Sequence, residues 1–367
     1  MLNTISEKFV LTTAVVLIFL QCSNVSAQDK FLTDKPGKFI LQNKLNKCQG
    51  IDINTFSKNL TTITEWIHQN NPVFNPPVGY DASVSFSGNS CDKITDKRDF
   101  GIQCRINFSF HYFYIENGIP QTATDWAAFD TEININNPIT QISHQFDEAG
   151  FKTDDPPHLK QPLEKARENL HTYYTTAPVI KEIAPGVRLY AEGGWFKGVL
   201  LVFNPDRPDI WIPVSVKEIM EAKLAYNKVE QEIDSIKFEK ALVEWTKMNF
   251  KPVQVNRPNI YDLIKKEFEN FTSEELSLPA YSGASEESGI STINVRGDGR
   301  AVVKFNPACW DRSLPVTAVQ YMSWQYRPES ELELEKFKPR NNGLTDYVGL
   351  FFNSLPVEKL GVLIQKK

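Results

Sequence analysis

The N-terminal part of the chain carries two hydrophobic periods, first that of a helix and then that of a strand. In the helical part, apolar residues are spaced three and four apart, which places them on one face of a helix. Asp52 is the expected N-cap of this helix, and Pro72 is the expected stop. The apolar stripe consists of Ile53, Phe56, Leu60, Ile63 and Ile67.

Three segments with a period of two follow this helix. Alternation of apolar and polar residues predicts strands with one buried and one wet face, as in an antiparallel sheet. The apolar sets are Tyr80, Ala82, Val84 and Phe86; Ile102, Cys104, Ile106, Phe108, Phe110, Tyr112 and Tyr114; and Phe129, Thr131, Ile133 and Ile135. The helical stripe is the natural cover for the apolar face, so the predicted fold class is α+β. This order of elements resembles the cystatin-like and NTF2-like architectures, and the resemblance concerns the fold alone.

The second half of the chain is predicted to form a further α+β region with a degenerate internal repeat. Phe203-Asn204-Pro205 and Phe305-Asn306-Pro307 are each followed, at the same spacing, by Pro-Val-Ser or Pro-Val-Thr. A duplication of residues 160–215 and 260–317 explains both copies. Strands that end at Asn-Pro explain them too, because proline cannot continue a ladder. Phe74-Asn75-Pro76 is a third copy, which lacks the downstream spacing.

A turn or linker is predicted at Asp154-Asp155-Pro156-Pro157. The expected domains are therefore residues 28–155 and 156–367. Composition fits this division, since 367 residues with 41% hydrophobic and 23% charged side chains form an ordinary globular protein of about two domains. The formal net charge is −5. The chain lacks the basic surface typical of nucleic-acid-binding proteins, so no nucleic-acid partner is expected.

Residues 1–27 have the pattern of a secretory signal peptide. A lysine precedes the apolar run Phe9–Leu20, and Val25-Ser26-Ala27 supplies the cleavage site. Twelve residues rise about 18 Å as a helix, short of a ~30 Å hydrocarbon core, so a permanent membrane span is the weaker interpretation. The mature protein is expected in the periplasm, outside the cell or at its surface. Lipoprotein anchoring through Cys22 is disfavoured by the bulky Leu20-Gln21 before it.

Four cysteines remain after removal of the leader: Cys48, Cys91, Cys104 and Cys309. Their even number and the exported context allow disulfides. Cys91 and Cys104 flank an expected hairpin loop, so a Cys91–Cys104 bridge is the first prediction. Buried free thiols are the alternative.

The chain has no nucleophile elbow, zinc-protease, Walker A, dinucleotide-binding or EF-hand motif. No cofactor is expected. The best catalytic candidates lie on the wet face of the predicted sheet, where a histidine close to two carboxylates could perform acid–base chemistry. A solvated strand face produces the same pattern. The candidates are Arg105, His111, Asp130 and Glu132.

Two further groups are candidates for binding. Trp211 and Trp310 lie in the connections of the predicted repeats, where exposed rings could stack on sugars or anchor a protein partner. The alternative is that both rings are core. One stretch of the chain contains several carboxylates and imidazoles that could ligate a metal ion. Their spacing matches no known metal site, and ordinary polar loops have the same composition. The candidate ligands are His144, Asp147, Asp154, Asp155 and His158.

These features favour an exported, non-enzymatic binding or structural module, with a polysaccharide or a protein as partner. An exported hydrolase that uses the His and carboxylates of the wet sheet face is the alternative. A secreted inhibitor or accessory subunit is a second alternative, suggested only by the cystatin-like order of elements.

Overall fold

The architecture is that of a computed structural model, which describes residues 30–43, 45–89, 101–124, 128–137, 142–191, 198–248, 259–283, 288–292, 300–326 and 346–366. The predicted leader lies outside these ranges. Within them, no helix has both the length and the apolar character that crossing a membrane requires. The fold is α+β, with helices packed on two sheets.

The larger sheet has ten strands among the described residues. Numbered in chain order through both sheets, they are β1 (Lys30–Phe31), β2 (Phe39–Gln42), β3 (Tyr80–Ser87), β4 (Cys104–Glu116), β5 (Ile119–Thr122), β6 (Phe129–Ile135), β9 (Val179–Ala184), β10 (Val187–Tyr190), β11 (Gly198–Phe203) and β16 (Tyr321–Tyr326). Their spatial order is β2-β3-β4-β6-β16-β11-β10-β9, and β1 and β5 both pair with β4. The pairs are antiparallel, apart from the parallel β2–β3 pair.

Helix α1 (Ile53–Asn70) covers one face of this sheet, as predicted. Its N-cap is Asp52, whose carboxylate accepts hydrogen bonds from the backbone N–H groups of Asn54 and Thr55. The apolar stripe of α1 packs into one core with the alternating apolar residues of β3, β4 and β6. Phe108 and Phe110 are at most 1% exposed. The predicted helix, the three strands and their antiparallel pairing are therefore confirmed.

The smaller sheet has six strands in the described chain. They are β7 (Ser143–Gln145), β8 (Tyr173–Thr176), β12 (Trp211–Pro213), β13 (Tyr281–Ser282), β14 (Ile290–Ser291) and β15 (Arg300–Phe305). Together with nearby loops, this sheet shares an apolar core with residues of β10, β11 and β16, among them Tyr190, Leu201 and Tyr321. Strands β10, β11 and β16 of the larger sheet thus contribute to a core on both faces. β3, β4 and β6 are apolar only on the face that α1 covers.

A third core lies between helices and the smaller sheet. The remaining helices are α2 (Lys160–Leu170), α3 (Val216–Lys247), α4 (Ile260–Asn270), α5 (Ser273–Ser277) and α6 (Tyr347–Ser354). Helices α2, α3 and α4 bury Leu163, Ile219 and Ile264 in this third core. Helix α6 and a 3₁₀ helix at Val357–Leu363 join α1 over the larger sheet.

Strands from both sides of residue 155 share the larger sheet, and the division into two domains at that point stays a prediction. The duplication also stays a prediction: Phe203 ends β11 in the larger sheet, whereas Phe305 ends β15 in the smaller one. Both Phe-Asn-Pro copies do end strands. A strand end does not explain the third copy, because Phe74 ends a 3₁₀ helix.

The predicted Cys91–Cys104 bridge is wrong, because Cys104 is a free and buried thiol. Its Sγ donates to the carbonyl oxygen of Ser87 at 3.2 Å, since the side chain points into the core from β4. Cys309 is also free and buried. Cys48 is disulfide-bonded, and its partner lies outside the described residues, as does Cys91.

Candidate functional site

The polar face of the larger sheet, defined as the side of β3, β4 and β6 that faces away from α1, collects the catalytic candidates. Each candidate lies at a strand position that period-two alternation places on this face. Across the strands, Asp81 is opposite His111, Ser109 is opposite Asp130, Asn107 is opposite Glu132, and Arg105 is opposite Asn134.

A cavity of about 460 Å³ opens on this face. It lies where two strands of the larger sheet separate: β6 and β16 pair only at Ile135–Met322 and Asn134–Ser323. Beyond that point Gln325 stands across the gap from β6. We call this the sheet cavity; its lining is Ser85, Asn107, Ser109, Asp130, Thr131, Glu132 and Gln325, with Val348 and Phe352 of α6 on the apolar side.

Three of the polar side chains in the sheet cavity are available to a ligand. Ser85, Ser109 and Asp130 have no side-chain hydrogen bond or ion pair with any residue that the structure describes. Glu132 is held in place, because its carboxylate lies 3.5 Å from Arg105 Nη1 and accepts from Asn134 Nδ2 at 3.4 Å. The cavity therefore offers hydroxyls, amides and two carboxylates, and both carboxylates project from β6.

His111 is on the polar face but does not line the sheet cavity. Its Nδ1 lies 3.1 Å from the carbonyl oxygen of Ala123, and its Nε2 lies 2.8 Å from Ser83 Oγ. A carbonyl oxygen can only accept, so Nδ1 donates to Ala123 and Nε2 is engaged with Ser83. The structure thus brings Asp130 and Glu132 together in one cavity and leaves His111 outside it.

The two tryptophans proposed as binding residues are buried, so the expectation that they are exposed is wrong. Trp211 is 8% and Trp310 6% exposed. Trp310 stacks on Tyr321, with ring centroids 6.0 Å apart, and Trp211 packs on Tyr174. Both connections fold back onto the core between the sheets, and this burial leaves neither ring a free face for a sugar.

The proposed metal ligands do not assemble. Within the ranges that the structure describes, no group of three or more His, Cys, Asp or Glu could hold a metal ion. Asp147 instead accepts from Arg167 Nη2 at 2.9 Å and lies 3.1 Å from His171 Nε2, and these contacts lower the pKa of its carboxyl. His144 and His158 are exposed.

Asp154 and Asp155 share Lys237, whose Nζ lies 2.9 Å from the first carboxylate and 2.5 Å from the second. Burial acts to raise the pKa of Asp155, but Lys237 and the backbone N–H of Lys152 outweigh it and lower the pKa. Side-chain cations therefore occupy the sites that a metal would need.

Sequence reasoning missed part of the sheet cavity. Ser85, Asn107 and Ser109 follow from the alternation, because polar positions on neighbouring strands share a face. Gln325, Val348 and Phe352 come from the C-terminal part of the chain, and nothing local indicates that they meet β6.

Comparisons of this chain with protein-family models, curated proteins and solved structures found no match. Function is therefore inferred from the sheet cavity itself.

Proposed function

We propose that this chain is an exported binding protein whose sheet cavity takes a segment of a polysaccharide. The leader pattern supports export. The disulfide at Cys48 also supports it, since disulfides persist in oxidising compartments.

The main observation that supports polysaccharide binding is the lining of the sheet cavity. Ser85, Ser109 and Asp130 point hydrogen-bonding groups into about 460 Å³ without partners among the described residues. Ligand cavities commonly fall between about 300 and 1,000 Å³ and fix their ligand with a few convergent polar groups. Hydroxyl and carboxylate oxygens bind sugar hydroxyls well, and the half-buried Val348 adds an apolar contact for the C–H groups of a sugar ring.

The test is calorimetric titration of the mature protein with cellohexaose, chitohexaose and deacetylated chitosan hexamer. At least one should bind, and Asp130→Asn should weaken binding about tenfold or more, because a charge-assisted hydrogen bond is worth about 1.5–3 kcal/mol. Asp81→Asn is the matched control, since Asp81 lies on the same polar face outside the cavity. Failure of all three sugars, or equal loss in both variants, would contradict the proposal.

A hydrolase is the second candidate, favoured by Asp130 and Glu132 in one cavity. Positions two apart on a strand project on the same side with about 6.6 Å between their Cα atoms, and glycosidases use a pair of carboxyl groups that flank the scissile bond. Release of reducing ends from the bound oligosaccharide, lost in both Asp130→Asn and Glu132→Gln, would support catalysis. Binding without product would leave the binding protein as the function.

We also infer the cystatin-like or NTF2-like order for the N-terminal part and the duplication of 160–215 and 260–317. Helix α1 on the β3-β4-β6 meander supports the first, and the two strand-ending Phe-Asn-Pro copies support the second.

The test of export is N-terminal sequencing of the secreted protein, whose first residue should be Gln28. A retained leader would contradict it.

A further inference from the structure

A second cavity, distinct from the sheet cavity in every lining residue, lies among the helices. It has about 700 Å³ and is bounded by the chain at Glu148–Ala149, the middle of α3 and the first turn of α4. We call it the helix cavity.

The charge of the helix cavity is one-sided. Glu148, Glu230 and Asp234 line it, and none of its described lining residues is Lys, Arg or His. Glu148 has Lys223 Nζ at 3.9 Å from its carboxylate. Glu230 and Asp234 form no ion pair with the residues that the structure describes. Within the described part of the chain, two negative charges on adjacent turns of α3 therefore lack an ion-pair partner.

The environment of Glu230 agrees with this imbalance. Burial raises the pKa of its carboxyl and the charges of Asp234 and Asp155 add to the rise, whereas a hydrogen bond with Tyr226 and the charge of Lys152 oppose it. A bound cation would relieve the repulsion between these carboxylates.

The other side of the helix cavity is apolar and aromatic. Phe238 is 47% and Ile260 54% exposed, and Tyr261 completes this side. Exposed apolar side chains beside uncompensated carboxylates suit a cation on a hydrocarbon stem, because the stem packs on the apolar surface while the charge reaches the acids. Aromatic rings add a cation–π attraction.

Hydrogen bonds also fix two parts of the wall of the helix cavity. Tyr226 Oη donates to the carbonyl oxygen of Ala149 at 2.8 Å, which fixes α3 against the neighbouring loop. Asn259 caps α4, its Oδ1 accepting from the backbone N–H of Tyr261 at 2.9 Å. Binding at a preformed site costs little conformational entropy, because few side chains and loops must become ordered.

We propose that the helix cavity binds an organic cation, an alkylammonium or guanidinium group on an apolar stem. Its source is a free polyamine or a lysine or arginine side chain of a peptide. The site is independent of the sheet cavity.

The proposal is tested by titrating the mature protein with spermidine and with hexalysine, which separate the two sources. Binding of either supports the site, and fully acetylated hexalysine, which keeps the stems without their charge, should not bind. The double variant Glu230→Gln/Asp234→Asn should weaken binding about tenfold or more.

The matched control is Glu232→Gln/Glu239→Gln, which removes the same charge from exposed positions of α3 outside the cavity. Its affinity should stay within about twofold of the parent. Equal losses in both double variants would assign the binding to general electrostatic attraction and overturn the proposal. No binding of either cation at millimolar concentration would also overturn it.

Discussion

Asn136 is the residue whose removal we expect to cost this fold most for its size. It lies directly after β6, is fully buried and has a positive φ of 55°. Its Nδ2 donates to the carbonyl oxygens of Ile102 at 3.0 Å and Ala318 at 2.9 Å. Its Oδ1 accepts from the backbone N–H groups of Gln320 at 2.9 Å and Tyr321 at 3.2 Å.

Asn136→Ala removes all four bonds and leaves four backbone groups without that partner. At about 1 kcal/mol for each bond, the bonds contribute about 4 kcal/mol. Alanine in the left-handed region adds about 1 kcal/mol of strain. The expected loss is therefore about 5 kcal/mol, a large part of the roughly 5–15 kcal/mol that keeps a domain folded.

Asn117 is the matched control, since it also has a positive φ, 51°, but is exposed in the turn between β4 and β5. Asn117→Ala should cost only the strain, about 1 kcal/mol. The glycine variants separate the two terms: glycine adopts positive φ freely, so Asn117→Gly should be nearly neutral while Asn136→Gly should still lose about 4 kcal/mol.

Urea denaturation of the four variants, followed by far-UV circular dichroism, measures these differences from the midpoint and slope. The reasoning is refuted if the Asn136 and Asn117 variants lose the same stability, because the four bonds would then contribute nothing.

Three further variants test other parts of the structure. Trp310→Ala should destabilise the protein by about 3–5 kcal/mol as a core truncation, whereas Trp245→Ala, at a residue 40% exposed, should barely change the melting temperature; similar effects would contradict the burial of Trp310. Asp155 has a pKa below its ordinary value of 3.8, so its pairing with Lys237 stabilises the fold above that pH and is lost as the pH falls through the lowered pKa. Asp155→Asn should accordingly be less stable than the parent at about pH 7 and equal to it at strongly acid pH, in urea denaturation at both; a gap independent of pH would argue against this pairing. Burial raises the pKa of Cys104 to about 11, so its thiol should be unreactive in the native protein. In denatured, unreduced protein, Cys104→Ser should lower the number of thiols that react with Ellman's reagent by one. If Cys104 were bridged, the same substitution would raise that number by freeing its partner.

The sequence predicts those parts of the fold that are defined by a local periodic pattern of apolar residues. Phe56 and Phe108 could be assigned to one core because a helical stripe and a period-two strand each need an apolar partner. The N-cap at Asp52 is similarly local. The polar positions Asn107 and Ser109 follow from the same alternation.

Long-range pairing is what the sequence does not reveal. From the sequence, Asn136 is expected to be an ordinary turn residue before Asn137-Pro138. In the structure its side chain forms hydrogen bonds with the backbone at Ile102 and Tyr321. Trp310 lies in a connection between apolar runs, where a turn and a buried corner look alike. The sheet cavity has the same difficulty, because Gln325 reaches β6 only through the β6–β16 pair.

The location of the sheet cavity follows from which strand faces are apolar. On β11 and β16, Leu201 and Tyr321 point away from the α1 side, so the smaller sheet can pack there. On β4 and β6 the corresponding positions are Ser109 and Asp130, whose burial without partners would cost free energy. The second layer therefore cannot extend over them. A polar concavity forms where β6 and β16 separate, because neither apolar packing nor strand pairing fills that place.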